Sequence, residues 1–94
     1  MVDANTYSTL ATHVLRSQMS IIGPLALDQA KKAIGIIIND DQSISIKGNG
    51  KEILENLVRQ FEQLFGQASV EACKDAIKES QLSISPSDLP EILR

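Results

Sequence analysis

The residues of this chain that could do chemistry are few and stand apart from one another. His13 is the only histidine, and no cysteine or pair of acids lies near it at the spacing of metal ligands. A serine nucleophile needs a histidine oriented by an acid, and the sequence offers no such set. We therefore expect His13 to be a surface residue, and we predict no enzyme activity, no catalytic residue, no metal ligand and no cofactor.

Two short polar segments carry groups that bind ions in other proteins. A calcium loop needs alternating ligands and a distant bidentate acid, which Asp40-Asp41 and the residues after it do not supply. The segment Lys47-Gly48-Asn49-Gly50-Lys51 lacks the spacing of a phosphate-binding loop. We interpret the first as a solvated turn and the second as a loop before a helix.

The single cysteine indicates the redox state of the cellular compartment. Cys73 has no partner for an internal disulfide, which is typical of a reducing cytosol. It lies in an apolar helical stripe and is predicted to be an inert core residue. No apolar run approaches the roughly 20 residues of a membrane span, and the N-terminus lacks the pattern of a secretory signal. The sequence predicts a soluble, cytoplasmic protein without membrane contact.

Composition indicates one small domain spanning residues 1–94. Hydrophobic residues make up 43% of the chain but aromatic residues only 3%, so the core must be built from Leu, Ile, Val and Ala. The net charge of −3 argues against nucleic-acid binding, which needs a basic face. A core this small is marginal, and association is a common way to strengthen it.

The elements that must position these residues form an internal repeat. Residues Leu15–Ile34 match Val58–Ile77, with glycines Gly23 and Gly66 at equivalent positions. In both copies an apolar helix ends in two large hydrophobic residues and a glycine, and an alanine-rich helix follows. We expect each glycine to be required either by a positive φ or by a close helix contact.

Apolar periodicity and turn signals predict mainly α structure, with two pseudo-repeated αα-hairpins in a four-helix arrangement plus a short C-terminal helix. The predicted helices begin after Asp3 or Asn5, at Pro24, at Lys51, after Gly66 and at Pro86, where Ser85 is the expected cap and Asp88 the acid of the first turn. The strongest stripe belongs to the third helix and predicts a core centred on Phe61, Leu64 and Phe65.

Three short segments leave room for extended structure. Gly35 followed by Ile36–Ile38 fits either a longer second helix, which we favour, or a strand. Ser43–Ile46 and Leu82–Ser85 alternate polar and apolar residues, which suits short strands that could pair with each other.

Helix–glycine–helix units also suggest a DNA-binding helix-turn-helix. A recognition helix presents polar and basic residues from its first turns. The second helix instead opens with Pro24–Asp28 and the fourth with Gln67–Glu71, which are largely apolar or acidic. The pattern favours two packed αα-hairpins over a DNA reader.

The segment Ile22-Gly23-Pro24-Leu25-Ala26 resembles the Ile-Gly-Pro-Ile/Leu-Ala motif of a small helical domain in bacterial signalling proteins, including cyanobacterial ones. The Pro86-Ser87-Asp88-Leu89-Pro90 stretch is similar to a Pro-x-Asp-Leu-Pro turn of the same chains. The resemblance implies a non-enzymatic accessory module. That domain is often appended to a kinase or receiver domain, which this chain lacks.

We therefore expect a non-catalytic protein–protein interaction module. Its protein partner is not identified by the sequence. Adjacent side chains in the runs Ile21-Ile22 and Ile36-Ile37-Ile38 would point about 100° apart on a helix, so one bundle cannot easily bury them all in one direction. This predicts self-association through apolar helix surface, with a two-fold homodimer as the expected form. The alternatives are an acidic-surfaced transcriptional regulator and a small-molecule sensor.

Overall fold

The computed structural model describes residues 4–80 and 84–94. These residues form four α-helices, one short β-hairpin and two 3-10 turns. The mainly α prediction is confirmed. The elements, in chain order, are α1 (Ala4–Ile22), α2 (Leu25–Ala30), β1 (Ile36–Ile38), β2 (Ile44–Ile46), α3 (Gly50–Phe65) and α4 (Gln67–Glu79), followed by two 3-10 turns (Pro86–Asp88 and Glu91–Leu93).

The predicted starts of α1 after Asp3 and of α4 after Gly66 agree with the structure, while α2 and α3 each begin one residue from the predicted position. Helix α1 already includes Asn5, so Asn5 is not its cap, and Asp3 lies outside the described residues. Helix α3 begins at Gly50 because the Asn49 side chain accepts a hydrogen bond from the Glu52 amide at 3.0 Å. Asparagine is a favourable helix cap because its side-chain oxygen satisfies a free amide of the first turn.

The core lies where α1, α3 and α4 pack together. Phe61 is fully buried at its centre, as predicted, with aliphatic side chains around it. Its fully buried neighbours in the cluster include Leu10, Val14, Leu15, Leu54, Leu57 and Val58. The prediction for Phe65 is wrong, since 54% of that residue is exposed, and Leu64 is only half-buried. Phe65 is the last residue of α3 and lies beyond the part of the bundle that covers Phe61.

The two glycine corners share a positive φ and the same backbone hydrogen-bond pattern, which supports the repeat. Gly23 has φ +71° and Gly66 has φ +62°. The amides of Gly23 and Gly66 donate to the carbonyls of Met19 and Glu62, at 2.9 and 2.7 Å. One turn later, Ala26 and Ser69 donate to the two glycine carbonyls. Each glycine is required by its backbone angle and not by crowding, because an added Cβ would meet nothing within 4 Å.

The correspondence between the two hairpins ends after the corner. Helix α2 stops at Ala30 while α4 continues to Glu79, so the expectation of a longer second helix is wrong. The chain turns over residues 31–35, and Gly35 has φ +88°, an angle that a right-handed helix cannot contain. The β-branched residues Ile36–Ile38 then form a strand, as their propensity allows.

The hairpin is antiparallel, with Ile36 opposite Ile46, Ile37 opposite Ser45 and Ile38 opposite Ile44. Side chains alternate along a strand. The core side of the hairpin therefore carries Ile36, Ile38, Ile44 and Ile46, and the side chain of Ile37 faces away from the core. The predicted strand at Ser43–Ile46 is confirmed over Ile44–Ile46. Strand β2 pairs with β1. Of the segment expected as its partner, Leu82 and Ser83 lie outside the described residues, and Ile84 and Ser85 are not in a strand.

The C-terminal segment forms two 3-10 turns where one short helix was predicted. Pro90 separates them, because proline lacks an amide hydrogen and disfavours helical backbone at the residue before it. The Ser85 side chain does not cap the first turn; its carbonyl accepts from the Asp88 amide at 2.9 Å. The Tyr7 hydroxyl donates to the Asp88 carbonyl at 2.7 Å and ties this segment to α1.

We predict that Gly66→Val destabilises the protein by roughly 1–3 kcal/mol, because a β-branched residue is strained at φ +62° and ψ −140°. In a domain of this size that loss lowers the thermal midpoint by several degrees. Gln67→Val is the matched control, since Gln67 is exposed and helical. Equal midpoints for the two variants would refute the backbone argument.

A second pair of variants tests the position of the core. Phe61→Ala should cost roughly 3–5 kcal/mol in denaturant unfolding, since it opens a cavity at a fully buried site. Phe65→Ala should cost less than about 1 kcal/mol, because its ring is largely solvated. Similar losses for both would mean that Phe65 belongs to the core.

Candidate functional site

An apolar groove lies where the two corners meet. It has a volume of about 360 Å³ and is lined by Ile21 and Ile22 at the end of α1, Phe65 at the end of α3, and Ala68 and Ser69 in the first turn of α4. We call this feature the corner groove. Ile22 and Phe65 occupy equivalent positions of the repeat, immediately before Gly23 and Gly66.

The corner groove is exposed because of how the two apolar stripes end. Ile21 is 62% exposed and Phe65 is 54% exposed. Each belongs to a pair of consecutive large hydrophobic residues, and consecutive residues point about 100° apart on a helix. One member of each pair therefore turns away from the core. The sequence pattern predicts that Ile21 and Ile22 cannot both be buried, but it places Phe65 in the core.

A buried polar side chain supports the floor of the corner groove. Gln18 is fully buried, and its Nε2 donates to the Ser69 carbonyl at 3.4 Å and to Cys73 Sγ at 3.6 Å. Its Oε1 has no hydrogen-bond partner among the described residues. Both contacts are long, so Gln18 joins α1 to α4 only weakly.

Cys73 lies in the core, as predicted. It is a free, fully buried thiol, and burial raises its pKa to about 12. The thiolate is the reactive form of cysteine, and at neutral pH this environment holds Cys73 in its neutral form. The geometry gives Cys73 a packing role.

A polar groove of about 350 Å³ adjoins the corner groove and shares Ile21 with it. Its polar lining comes mostly from one side of α1, with Glu79 opposite: the residues are His13, Arg16, Ser17, Ser20 and Glu79. His13 is half-buried in this lining. The described residues contain no group of three or more His, Cys, Asp or Glu side chains that could hold a metal ion.

The other two segments singled out in the sequence have structural roles. Asp41 accepts hydrogen bonds from the Ser43 hydroxyl and the Ser43 amide, at 2.6 and 3.0 Å, and these bonds lower the pKa of Asp41. They close the turn between β1 and β2. In the loop before α3, Asn49 caps the helix and Lys51 Nζ donates to the Ser87 carbonyl at 2.9 Å. Ser43 lines a groove of about 240 Å³ together with His13 and Arg16, and neither Cys73 nor the loop before α3 is part of that lining.

Among the described residues, three further large hydrophobic residues are exposed outside the corner groove. Leu25 at the start of α2 is 48% exposed, Ile34 in the turn before β1 is 82% exposed, and Ile37 in β1 is 39% exposed. The predicted excess of apolar surface is therefore present, but Ile34 and Ile37 lie beside or in the β-hairpin and not on helix surface.

Comparison with known proteins gives no relative: no family model, curated protein or solved structure matches the chain. Of the helices in residues 4–80 and 84–94, none is both long and apolar enough to cross a membrane.

We predict that Cys73 resists thiol reagents at pH 8 while the protein is folded and reacts fully in denaturant. The reaction can be followed by the absorbance of a chromogenic disulfide reagent. Fast labelling of the folded protein would contradict the buried position of Cys73.

Because burial raises the pKa of Cys73, the free energy of unfolding should also depend on pH. The folded state favours the neutral thiol, so the stabilisation from this shift is complete below the unfolded pKa near 9 and is lost as pH rises toward about 12.

Proposed function

We propose that the chain is a non-catalytic interaction module whose corner groove binds an apolar side chain of a partner protein. One observation carries the proposal: Ile21 and Phe65, each more than half exposed, line the same groove. Large apolar side chains concentrated in one concave place mark binding surfaces more often than scattered exposed residues do, because their hydration is unfavourable.

The lining of the corner groove favours a protein side chain over a metabolite. Small-molecule sites carry a few converging polar groups that orient the ligand. Here the polar lining is limited to Ser69, which is itself buried, and the remaining residues are apolar. An aliphatic or aromatic anchor requires no such orienting groups. This weighs against the small-molecule sensor.

The adjoining polar groove suggests the character of the partner segment. Ile21 borders both grooves, so a segment that seats an apolar anchor against Phe65 can extend toward Arg16 and Glu79. Such a partner would be amphipathic, with an apolar anchor followed by hydrogen-bonding or charged residues. Buried apolar anchors with a polar rim are the usual anatomy of protein interfaces.

The opening turns of α2 and α4 support a protein partner more than DNA. Their exposed residues include Leu25, Asp28, Gln67 and Glu71, and these present no positive charge to a phosphate backbone. Lys31 and Lys32 follow α2 but lie in the turn beyond its end. A role as an accessory module in signalling, and a cytoplasmic location, remain part of the proposal; the free thiol of Cys73 is compatible with a reducing compartment.

The test is differential capture. The immobilised wild-type chain and the variants Ile21→Glu and Phe65→Glu are exposed to the same lysate, and retained proteins are quantified by mass spectrometry. We expect at least one specific protein to fall about tenfold or more with both variants, because a charge in a buried anchor site remains unpaired.

Ile37→Lys is the matched control, since it changes an exposed isoleucine that lies outside the corner groove. Circular dichroism should give the same helix content for all variants. The proposal fails if folded groove variants retain every protein that the wild type retains, or if Ile37→Lys causes the same loss.

A further inference from the structure

The outer edge of β1 carries backbone hydrogen-bonding groups that have no backbone partner among the described residues. The Lys47 amide donates to the Gly35 carbonyl, and the Asn39 amide donates to the Ser43 carbonyl, both at 2.9 Å. In an antiparallel pair the residues alternate between facing the partner strand and facing away. The backbone amide and carbonyl of Ile37 therefore face β2, while the amides and carbonyls of Ile36 and Ile38 point away from β2. Within the described residues, no strand lies on that side.

The opposite edge of the hairpin is covered. The outward amide of Ile44 in β2 donates to Thr12 Oγ1 of α1 at 2.9 Å. Of the two edges of this sheet, β1 is thus the one that the described chain leaves open.

The composition of the open edge does not protect it. Proteins discourage edge pairing with charged residues, proline or bulges, and β1 consists of three isoleucines in regular register. The side chain of Ile37, which faces away from the core, is exposed, and so is that of Ile34 in the turn before β1. An edge of this kind is suited to pairing with another strand.

We propose that β1 pairs antiparallel with β1 of a second copy of this chain, across a two-fold axis at Ile37. In this register Ile36 of each copy lies opposite Ile38 of the other, so all the outward groups find partners, with about four backbone hydrogen bonds. The Ile37 side chains meet at the axis. The inference is independent of the corner groove, which uses other residues.

Charge complementarity identifies the occupant as a second copy. The exposed residues Lys31 and Lys32 precede β1, and the exposed residues Asp40 and Asp41 follow it. An antiparallel copy brings the basic turn before β1 of each copy toward the acidic turn after β1 of the other. The same arrangement makes a parallel pairing unfavourable, because like charges would then meet.

The geometry also makes the assembly finite. Pairing yields a four-stranded sheet in the order β2, β1, β1, β2, in which each outer edge is the one that α1 covers through Thr12. An isologous contact of this kind closes on itself as a dimer and does not extend into a filament.

Ile37→Lys is the first test, since it places two like charges opposite each other at the axis. By light scattering or sedimentation at micromolar concentration, we expect about 20 kDa for the wild type, twice the chain mass of 10.2 kDa. The variant should raise the dimer dissociation constant about tenfold or more. Ile21→Lys, on the corner groove, is the control and should leave it unchanged.

A charge exchange tests the register. Lys31→Glu with Lys32→Glu in one variant, and Asp40→Lys in another, should each weaken self-association because like charges then meet across the axis. An equimolar mixture of the two should recover dimer. Asp40 is chosen because the turn contacts with Ser43 belong to Asp41.

Amide hydrogen exchange measured against protein concentration provides a readout of the edge itself. Protection of Ile36 and Ile38 should rise with concentration, while the Ile37 amide, which faces β2, should be protected throughout. A 10 kDa monomer at the highest soluble concentration, or a dimer whose affinity Ile37→Lys does not change, would overturn the proposal. So would Ile36 and Ile38 amides with concentration-independent exchange.

Discussion

The abrupt reversal of the chain at Gly23 and Gly66 is the constraint on which the rest of the structure depends. A single residue separates α3 from α4, and two separate α1 from α2. Each reversal requires a positive φ, which glycine adopts without the steric penalty of a Cβ. Because no loop intervenes, α4 must pack directly against α3, and α1 completes the core around Phe61. A core of medium-sized aliphatic residues is then sufficient, with a single fully buried aromatic ring.

The same reversals account for the exposed apolar surface. The apolar stripes of α1 and α3 run to the last residue before each glycine, so Ile21 and Phe65 have no further turn of helix to cover them. The open edge of β1 has a different origin. After the turn that follows α2 the chain forms a short strand, and within the part of the chain that the structure describes this strand pairs with β2 alone. One surface offers side chains and the other offers backbone groups. They can therefore serve two partners independently.

Local signals in the sequence predicted what local physics determines. The glycine corners, the stripe that buries Phe61, the buried Cys73 and the polar turn at Asp41 all follow from spacing and residue type. The misplaced residues depend on tertiary context. The pattern of Ile36–Ile38 fits a helix or a strand and favours the helix, but pairing with Ile44–Ile46 decides for the strand. Phe65 continues a perfect stripe, and only the end of the bundle exposes it. The corner groove could be predicted only in part, because it joins residues from three helices.

Contact between the corner groove and a partner protein can be measured by a methyl-resolved NMR titration of the isotope-labelled chain with the protein that differential capture identifies. We expect the largest shift changes on Ile21, Ile22 and Ala68, with the Phe65 ring resonances changing at the same ratio of partner to chain. Changes centred on Ile34 and Ile37, with the corner-groove signals unmoved at saturation, would contradict it.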